Sequence, residues 1–279
     1  MMLIADSGST KTDWRLVSGA ETVATVSTKG MNPFFQTEEE IKIELTSALL
    51  PRINASEVMS VCFYGAGCAF GKENTVRHAI ASCFPNATVE VNTDLLAAAH
   101  AACGRSAGIV GILGTGSNSC YYDGQAIVKN VSPLGFILGD EGSGAVLGRM
   151  LVGNVLKNQL SDDLCKLFLS KYELDAGIII DRVYRQPFPN RFLAGLSPFL
   201  LEHIDRPEIA TIVHRGFTDY FTRNIMQYDY HANEVHLVGS VAYYYKEILT
   251  DVAAGLGIRL GQVLRQPMDG LVAYHSQIK

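Results

Sequence analysis

The sequence lacks several features that would place it in a familiar class. It has no apolar stretch as long as the roughly 18 residues that cross a bilayer. It also has no basic run of the kind that binds extended nucleic acid. None of its six cysteines forms Cys-x-x-Cys and its seven histidines show no metal-ligand spacing, so neither a zinc ribbon nor a dithiol redox motif is indicated. Low-complexity segments are absent, so no flexible linker or tail is expected.

What the chain does contain is typical of a packed globular protein. Its 279 residues are 48% hydrophobic and 18% charged, and the formal net charge is −5. This length suggests about two domains. The apolar start is only five residues long and follows no basic region, so we interpret it as a strand and not as a signal peptide. We expect a cytoplasmic protein whose cysteines are reduced thiols.

The order of apolar runs and turn residues predicts an α/β protein in two parts. In the first part, strands are predicted at 2–6, 13–18, 21–27, 58–64 and 88–91, and helices at 38–50, 73–83 and 94–103. After a joint at 104–106, the second part repeats the three-strand theme at 108–113, 118–123 and 125–131. Further helices are predicted at 143–159, 161–172, 176–185, 207–229, 243–254 and 270–277, and strands at 234–238 and 258–260.

The most informative stretch is the turn after the first strand, which reads Asp6-Ser7-Gly8-Ser9-Thr10-Lys11-Thr12-Asp13. A Gly/Ser/Thr turn of this kind points backbone N–H groups and hydroxyls at one spot, which suits a phosphate, while the carboxylate suits its Mg²⁺. The alternative is a β-hairpin made of ordinary turn residues. The turn alone does not decide between the two.

Four further motifs make a family resemblance specific. A second glycine-rich turn, Gly114-Thr115-Gly116-Ser117-Asn118, opens the second part, and Leu237-Val238-Gly239-Ser240 follows later with the spacing of an adenosine motif. With the first turn, these resemble the sugar kinase/Hsp70/actin superfamily. Asn92-Thr93-Asp94 and Gly139-Asp140-Glu141-Gly142-Ser143 narrow the resemblance to the BadF/BadG/BcrA/BcrD ATPase family, most closely its N-acetylglucosamine kinase branch. The chain departs from the family in two places: Val238 stands where a second glycine is common, and Asp269-Gly270-Leu271 lacks the usual Gly-Ala pair. Both changes would affect the affinity for nucleotide more than the phosphate transfer itself.

The resemblance implies two ribonuclease H-like (actin-like ATPase) domains, each with a mixed five-stranded sheet, and a cleft between them. The domains would be residues 1–105, completed by a C-terminal helix at 268–279, and residues 106–267. ATP and Mg²⁺ would be the cofactors, a small sugar the substrate, and the relatives suggest a homodimer. Neither nucleic acid nor a membrane is expected as a partner.

The resemblance also assigns roles to the nucleotide ligands. Asp6 would hold Mg²⁺ through water. The phosphates would be bound by the first turn, at Gly8, Ser9, Thr10, Lys11 and Thr12, and by the second turn, at Gly114, Thr115 and Gly116. The adenosine would be bound by the third motif, at Gly239 and Ser240. Three alternatives stay open, because Lys11 could equally face solvent, the second turn could be an ordinary glycine-rich hairpin and Gly239 could belong to an ordinary strand-to-helix turn.

For the substrate, the resemblance places the catalytic base at Asp94 and the sugar ligands at Asn32, Asp94, Ser117, Asn118, Gly135 and Asp140. A carboxylate at this position can accept the proton of the attacking hydroxyl. Asp94 and Asp140 each precede a predicted helix and could instead be N-caps. Asn32 stands before Pro33 and could be only a turn residue.

The predicted activity is transfer of the γ-phosphate of ATP to the 6-hydroxyl of N-acetylglucosamine or a close amino sugar. One alternative is a BadF-type ATPase that activates a 2-hydroxyacyl-CoA dehydratase or reductase, although Cys103 and Cys120 lack cluster-ligand spacing. Another is an ATP- and sugar-binding sensor without turnover. Glucosamine, N-acetylmuramic acid and N-acetylmannosamine stay open as substrates.

Overall fold

A computed structural model describes residues 1–8, 10–69 and 71–276, and within them the strands form two five-stranded sheets. The strands of the first sheet are β1 (Met2–Ser7), β2 (Lys11–Ser18), β3 (Glu21–Lys29), β4 (Ser60–Gly65) and β5 (Thr88–Thr93). Those of the second are β6 (Gly108–Leu113), β7 (Ser117–Tyr122), β8 (Ile127–Val131), β9 (Val235–Val238) and β10 (Leu260–Leu264). The predicted α/β class with a mixed five-stranded sheet in each half is confirmed.

The two sheets share one topology. Their orders are β3-β2-β1-β4-β5 and β8-β7-β6-β9-β10, so each successive strand occupies the equivalent place. In each sheet the first two strands pair antiparallel as a hairpin, whereas the fourth pairs parallel with the first. The internal repeat predicted from element order is therefore present. The central strands β1 and β6 are buried almost throughout, which explains their continuous apolar sequences.

Helices connect and follow the strands, and some of them supply the crossovers that the parallel pairs require. They are α1 (Glu38–Glu44), α2 (Glu73–Cys83), α3 (Asp94–Cys103), α4 (Gly135–Leu138), α5 (Gly144–Leu156), α6 (Asp162–Lys171), α7 (Ala176–Tyr184), α8 (Pro189–Leu196), α9 (Pro198–Glu202), α10 (Pro207–Arg223), α11 (Ser240–Tyr244), α12 (Lys246–Gly255) and α13 (Met268–Ser276). The predicted N-cap Thr37 begins α1 in a capping box with Glu40. No helix within the described residues is long and apolar enough to span a bilayer.

Some boundaries differ from the predictions. The segment predicted as one helix at 38–50 changes to a π-helical turn at Leu45–Leu49 and a 3₁₀ turn at Leu50–Arg52. Helices α8 and α9 were not predicted, and the last strand lies at Leu260–Leu264 instead of 258–260. Residue 277, predicted to end the last helix, lies outside the described residues.

The chain divides into two units, each with its own core. The first comprises Met1–Ser106, Asp123–Ile127 and the chain from Gln266 onward, and the second comprises Ala107–Tyr122 and Val128–Arg265. In the first unit, one apolar cluster surrounds Trp14 and a smaller one surrounds Tyr64. In the second, a single large cluster packs β6 and β9 against α5, α8, α10 and α12. The candidate site residues of each unit are therefore described separately.

Candidate active site

The turn between β1 and β2 is fixed from inside by two buried hydroxyls. The side-chain oxygens of Ser7 and Thr12 lie 2.7 Å apart, and Thr12 donates to the Lys29 carbonyl at 3.0 Å. The Met31 N–H donates to the Ser7 hydroxyl at 2.9 Å, which ties the turn to the chain that follows β3. The Thr12 hydroxyl is thus used within the fold, and its contact with a phosphate stays a prediction.

The outer residues of the same turn are exposed, as a ligand-binding turn requires. Gly8, Thr10 and Lys11 face solvent, and the Gly8 N–H closes the turn by donating to the Lys11 carbonyl at 3.0 Å. Lys11 Nζ lies 2.7 Å from an Asp13 carboxylate oxygen, with 61% of its side chain exposed. This ion pair adds a third possibility to the two that the sequence left open for Lys11. Ser9 lies outside the described residues.

Asp6 lies at the end of β1, where its surroundings destabilise the ionised carboxylate. Burial raises the pKa of Asp6 to about 7, and the nearby carboxylates of Asp94 and Asp13 raise it further, while Lys11 acts in the opposite direction. A divalent cation would relieve this crowding of carboxylates, and oxygen ligands suit Mg²⁺. The residues around Asp6 therefore fit the predicted metal.

Asp94 is the first residue of α3 but not its N-cap. The cap is Thr93, whose hydroxyl accepts from the Leu96 N–H at 3.2 Å, so the capping alternative for Asp94 is wrong. One Asp94 carboxylate oxygen accepts from the Leu95 N–H at 2.9 Å. Burial raises the pKa of Asp94, and this hydrogen bond opposes the shift. A positioned carboxylate whose pKa is raised toward neutrality has the character of a general base.

Asn32 lies in the same unit, in a turn that its own side chain stabilises. Its Oδ1 accepts from the Phe34 N–H at 2.9 Å, and its N–H donates to Gln36 at 2.7 Å. Gly67 packs so closely that a Cβ there would lie 2.4 Å from Asn32 Oδ1. The Asn32 side-chain oxygen therefore stabilises a turn, as the alternative interpretation predicts. The contact of Asn32 with a sugar stays a prediction.

In the second unit, the turn between β6 and β7 rests on the start of α5. The Gly144 and Ala145 N–H groups donate to the carbonyls of Gly114 and Thr115 at 2.8 and 3.1 Å, respectively. The Gly114 N–H closes the turn by donating to the Gly116 carbonyl at 2.9 Å. The predicted second phosphate turn is thus held in place by hydrogen bonds to its backbone carbonyls.

Asp140 approaches this second turn directly. The Ser117 N–H donates to its carboxylate, and a Cβ at Gly116 would lie 3.0 Å from Asp140 Oδ2. Burial raises the pKa of Asp140 to about 6, the Ser117 hydrogen bond opposes this, and the charge of Glu141 adds to it. The N-cap of α5 is Ser143, so the capping alternative for Asp140 is wrong. Two predicted sugar ligands, Ser117 and Asp140, are in contact.

Gly239 forms the strand-to-helix turn from β9 to α11, which Ser240 begins. Its φ is +130°, and a Cβ there would lie 2.2 Å from the Leu113 carbonyl oxygen, so only glycine fits. The packing of the fold alone explains this glycine, and its contact with adenosine stays a prediction. Gly135 begins α4 with a φ of +73° and open space around it.

Sequence reasoning missed the side chains that support Asn118 and Asp140. The Asn118 carbonyl accepts from the Tyr220 hydroxyl at 3.2 Å. Glu141, which the sequence places in a motif without a role, pairs with Arg223 at 3.0 Å. The one available signal was Gly111, a glycine inside a buried strand, since a Cβ there would lie 2.0 Å from the Tyr220 hydroxyl.

Comparison with known proteins adds a relative that matches over the full chain. No family model matches the sequence, and a search of curated proteins found no match. Among solved structures, a candidate N-acetylglucosamine kinase from Porphyromonas gingivalis is 49% identical, with 100% of this chain and 99% of that chain covered and a TM-score of 0.97. The chain belongs to the N-acetylglucosamine kinase-like family. The resemblance inferred from the motifs is thereby confirmed.

More distant solved structures show the same fold. A candidate N-acetylglucosamine kinase from Chromobacterium violaceum is 19% identical, with 98% of each chain covered and a TM-score of 0.76. A ROK family glucokinase from Streptomyces griseus, solved with glucose and AMPPNP, is 17% identical, with 98% of this chain and 97% of that chain covered and a TM-score of 0.56. The fold is that of the sugar kinases and other actin-like ATPases.

Proposed function

We propose that the protein is an ATP-dependent kinase that transfers the γ-phosphate to the 6-hydroxyl of N-acetylglucosamine or a close amino sugar. The observation that carries the proposal is that Asp6 and Asp94 lie at the same edge of the parallel strands β1, β4 and β5, where burial and then the charge of Asp94 raise the pKa of Asp6. Asp6 ends the central strand at the candidate phosphate turn, and Asp94 begins α3 without capping it. The 49% identity to a candidate N-acetylglucosamine kinase supports the choice of substrate.

In the proposed reaction, Asp94 accepts the proton of the sugar 6-hydroxyl. The Leu95 N–H holds one carboxylate oxygen at 2.9 Å, and the other oxygen would accept the proton. The bond from the sugar oxygen to the γ-phosphorus forms as the bond from that phosphorus to the bridging oxygen of ADP breaks, and the proton stays on Asp94. Burial, which raises the pKa of Asp94, makes it a stronger base than an exposed carboxylate.

The remaining residues bind and orient. Asp6 would hold Mg²⁺ through water, and the ion would neutralise phosphate charge when bound. The exposed Gly8 and Thr10 of the first turn, together with the turn at 114–116 in the second unit, would bind phosphate oxygens. The sugar hydroxyls would bind to Asn32, Ser117, Asn118 and Asp140, with Gly135 lining the pocket.

The direct test is a coupled ADP-release assay with N-acetylglucosamine, glucosamine, N-acetylmuramic acid, N-acetylmannosamine and glucose, run on the wild type and on Asp94→Asn. We expect turnover with N-acetylglucosamine and a loss of about 10²-fold or more in kcat for the variant, the contribution typical of a general base. Melting temperature should change little, since Thr93 and not Asp94 caps α3.

Asp175→Asn is the matched control. Asp175 is also a carboxylate at a helix start and accepts a backbone N–H, from Ile178 at 2.8 Å, but it caps α7 and has no proposed role. Asparagine caps helices as well as aspartate does, so full activity is expected. Unchanged turnover in Asp94→Asn would refute the base assignment. Tight ATP binding without turnover of any sugar would favour a sensor, and cluster absorption in an anaerobic spectrum would favour the dehydratase activator.

A further inference from the structure

The segment that carries Asp140 has a backbone that needs support from outside. Asp140 itself has a φ of +52°, and Leu134, six residues earlier, has a φ of +61°. Residues other than glycine adopt this left-handed conformation at a cost in free energy and keep it only where the surroundings hold them. Backbone bonds supply part of the support, since the Asp140 N–H donates to the Pro133 carbonyl at 2.8 Å.

Glu141 provides a second attachment, to the C-terminal end of α10. Its Oε1 lies 3.0 Å from Arg223 Nε, and its Oε2 accepts from Asn224 Nδ2 at 3.2 Å. The Glu141 side chain is 11% exposed, whereas that of Arg223 is 62% exposed. A buried carboxylate of this kind is a poor way to stabilise a fold, because its desolvation offsets the attraction, but it fixes position and direction.

Tyr220, one turn earlier in α10, reaches the other candidate sugar ligand. Its hydroxyl donates to the Asn118 carbonyl at 3.2 Å, and its side chain packs on Gly142, where a Cβ would lie 2.9 Å from Tyr220 Cβ. The Asn224 side chain also donates to the Tyr220 carbonyl at 3.3 Å. A single helix end therefore contacts both the β7 residue Asn118 and the segment of Asp140.

We propose that the C-terminal end of α10 positions Asn118 and Asp140 for the sugar, with Tyr220, Arg223 and Asn224 as positioning residues that act through the Asn118 carbonyl and Glu141. The inference rests on the proposed function, because it takes Asn118 and Asp140 as sugar ligands. It assigns these residues no part in phosphate binding or proton transfer. Their loss should therefore affect sugar binding more strongly than nucleotide binding.

The test compares Glu141→Gln and Tyr220→Phe with the wild type in the ADP-release assay. Each change removes one polar contact while keeping side-chain size. We expect the KM for N-acetylglucosamine to rise about tenfold, the effect of losing one good hydrogen bond, with the KM for ATP within about twofold. A loss confined to kcat, or an equal rise in both KM values, would overturn the proposal.

Arg206→Gln is the matched control, since it breaks an ion pair at the other end of the same helix. Arg206 Nη1 lies 2.9 Å from Asp163 Oδ2, and Arg206 is the N-cap residue of α10. Its kinetics should match those of the wild type, and a rise in sugar KM equal to that of Glu141→Gln would show a merely structural role. In a double-mutant cycle, Asp140→Asn/Glu141→Gln should be no worse than Asp140→Asn alone. Full additivity would contradict the proposal.

Hydrogen exchange of the substrate-free protein separates this inference from the proposed function. Glu141→Gln should accelerate exchange of the amides of residues 139–143 relative to Arg206→Gln, whatever the substrate is. If the wild type phosphorylates none of the sugars, the proposed function fails, and the exchange result still decides whether Glu141 holds the segment. If the wild type is active but Glu141→Gln changes neither exchange nor sugar KM, only the positioning inference fails.

Discussion

Acid should weaken the first unit through a buried histidine. The Tyr64 hydroxyl on β4 lies 2.9 Å from His100 Nδ1 on α3 and 2.9 Å from His275 Nε2 on α13. A hydroxyl can donate to one neutral imidazole and accept from another, but an imidazolium ring cannot accept its proton. Burial lowers the pKa of both histidines, and that of His100 falls to about 4, with the charges of His275 and Arg105 adding to the effect of burial.

The magnitude follows from proton linkage. In the unfolded chain His100 has an ordinary pKa of 6.5, so the unfolded state binds more protons as the pH falls below 6.5, and stability is lost from there down to about pH 4. By pH 5 this loss amounts to about 2 kcal/mol. Asp6 acts in the opposite direction, because its pKa is raised to about 7 and its protonation stabilises the folded state as the pH falls. The test must therefore compare the wild type with a variant that lacks His100 and keeps Asp6, so that the contribution of Asp6 cancels.

The comparison is between the wild type and His100→Phe, in urea unfolding at pH 7.5 and pH 5.0. Phenylalanine can keep the stacking that His100 makes on Tyr274, with ring centroids 3.9 Å apart, but does not titrate. Trp14, the chain's one tryptophan, is fully buried in the first unit, so its fluorescence reports unfolding of the unit that contains His100. From pH 7.5 to pH 5.0, the free energy of unfolding of His100→Phe should fall by about 2 kcal/mol less than that of the wild type.

If the free energies of unfolding of the wild type and His100→Phe fall in parallel, then His100 does not take up its proton on unfolding, and the linkage argument is wrong.

Glycine substitutions supply the remaining predictions. Gly148→Ala should destabilise the second unit by about 1–3 kcal/mol in denaturant titrations, because the new methyl would lie 1.9 Å from the Leu193 carbonyl oxygen. Gly153→Ala in the same helix meets nothing within 4 Å and should stabilise it by up to about 1 kcal/mol. Gly239→Ala should weaken ATP binding in calorimetry, since its methyl would lie 2.2 Å from the Leu113 carbonyl; unchanged ATP affinity would contradict the adenosine assignment.

The parts of the fold that the sequence predicted well are those with local causes. Strands β1, β4 and β6 are short apolar runs that end at polar or glycine-rich turns, and all lie where they were predicted. Asp94 begins α3 because a strand ends directly before it and Thr93 can cap. The hairpin turns followed from their own composition, so the candidate phosphate turns could be located without any knowledge of tertiary contacts.

Elements whose formation depends on packing were harder to predict. Helices α8 and α9 are short, each begins with a proline, and a left-handed Phe188 precedes the first. Such signals indicate turns as readily as helices, and the contact of α8 with α5 is what holds it. Strand β10 carries no apolar alternation that would separate it from a loop, and its pairing with β9 includes a register shift.

The candidate site shows the same division between local and distant causes. Each predicted ligand lies in a local motif, but the side chains that hold Asn118 and Asp140 come from α10, with Tyr220 102 residues beyond Asn118. Gly111 indicates that some group approaches β6 closely, and nothing in the sequence identifies that group as the Tyr220 hydroxyl. The two sheets share a topology, yet the first turn is held by its own hydroxyls and the second by N–H groups at the start of α5. Substitutions in α10 should therefore alter sugar binding without touching a recognisable motif.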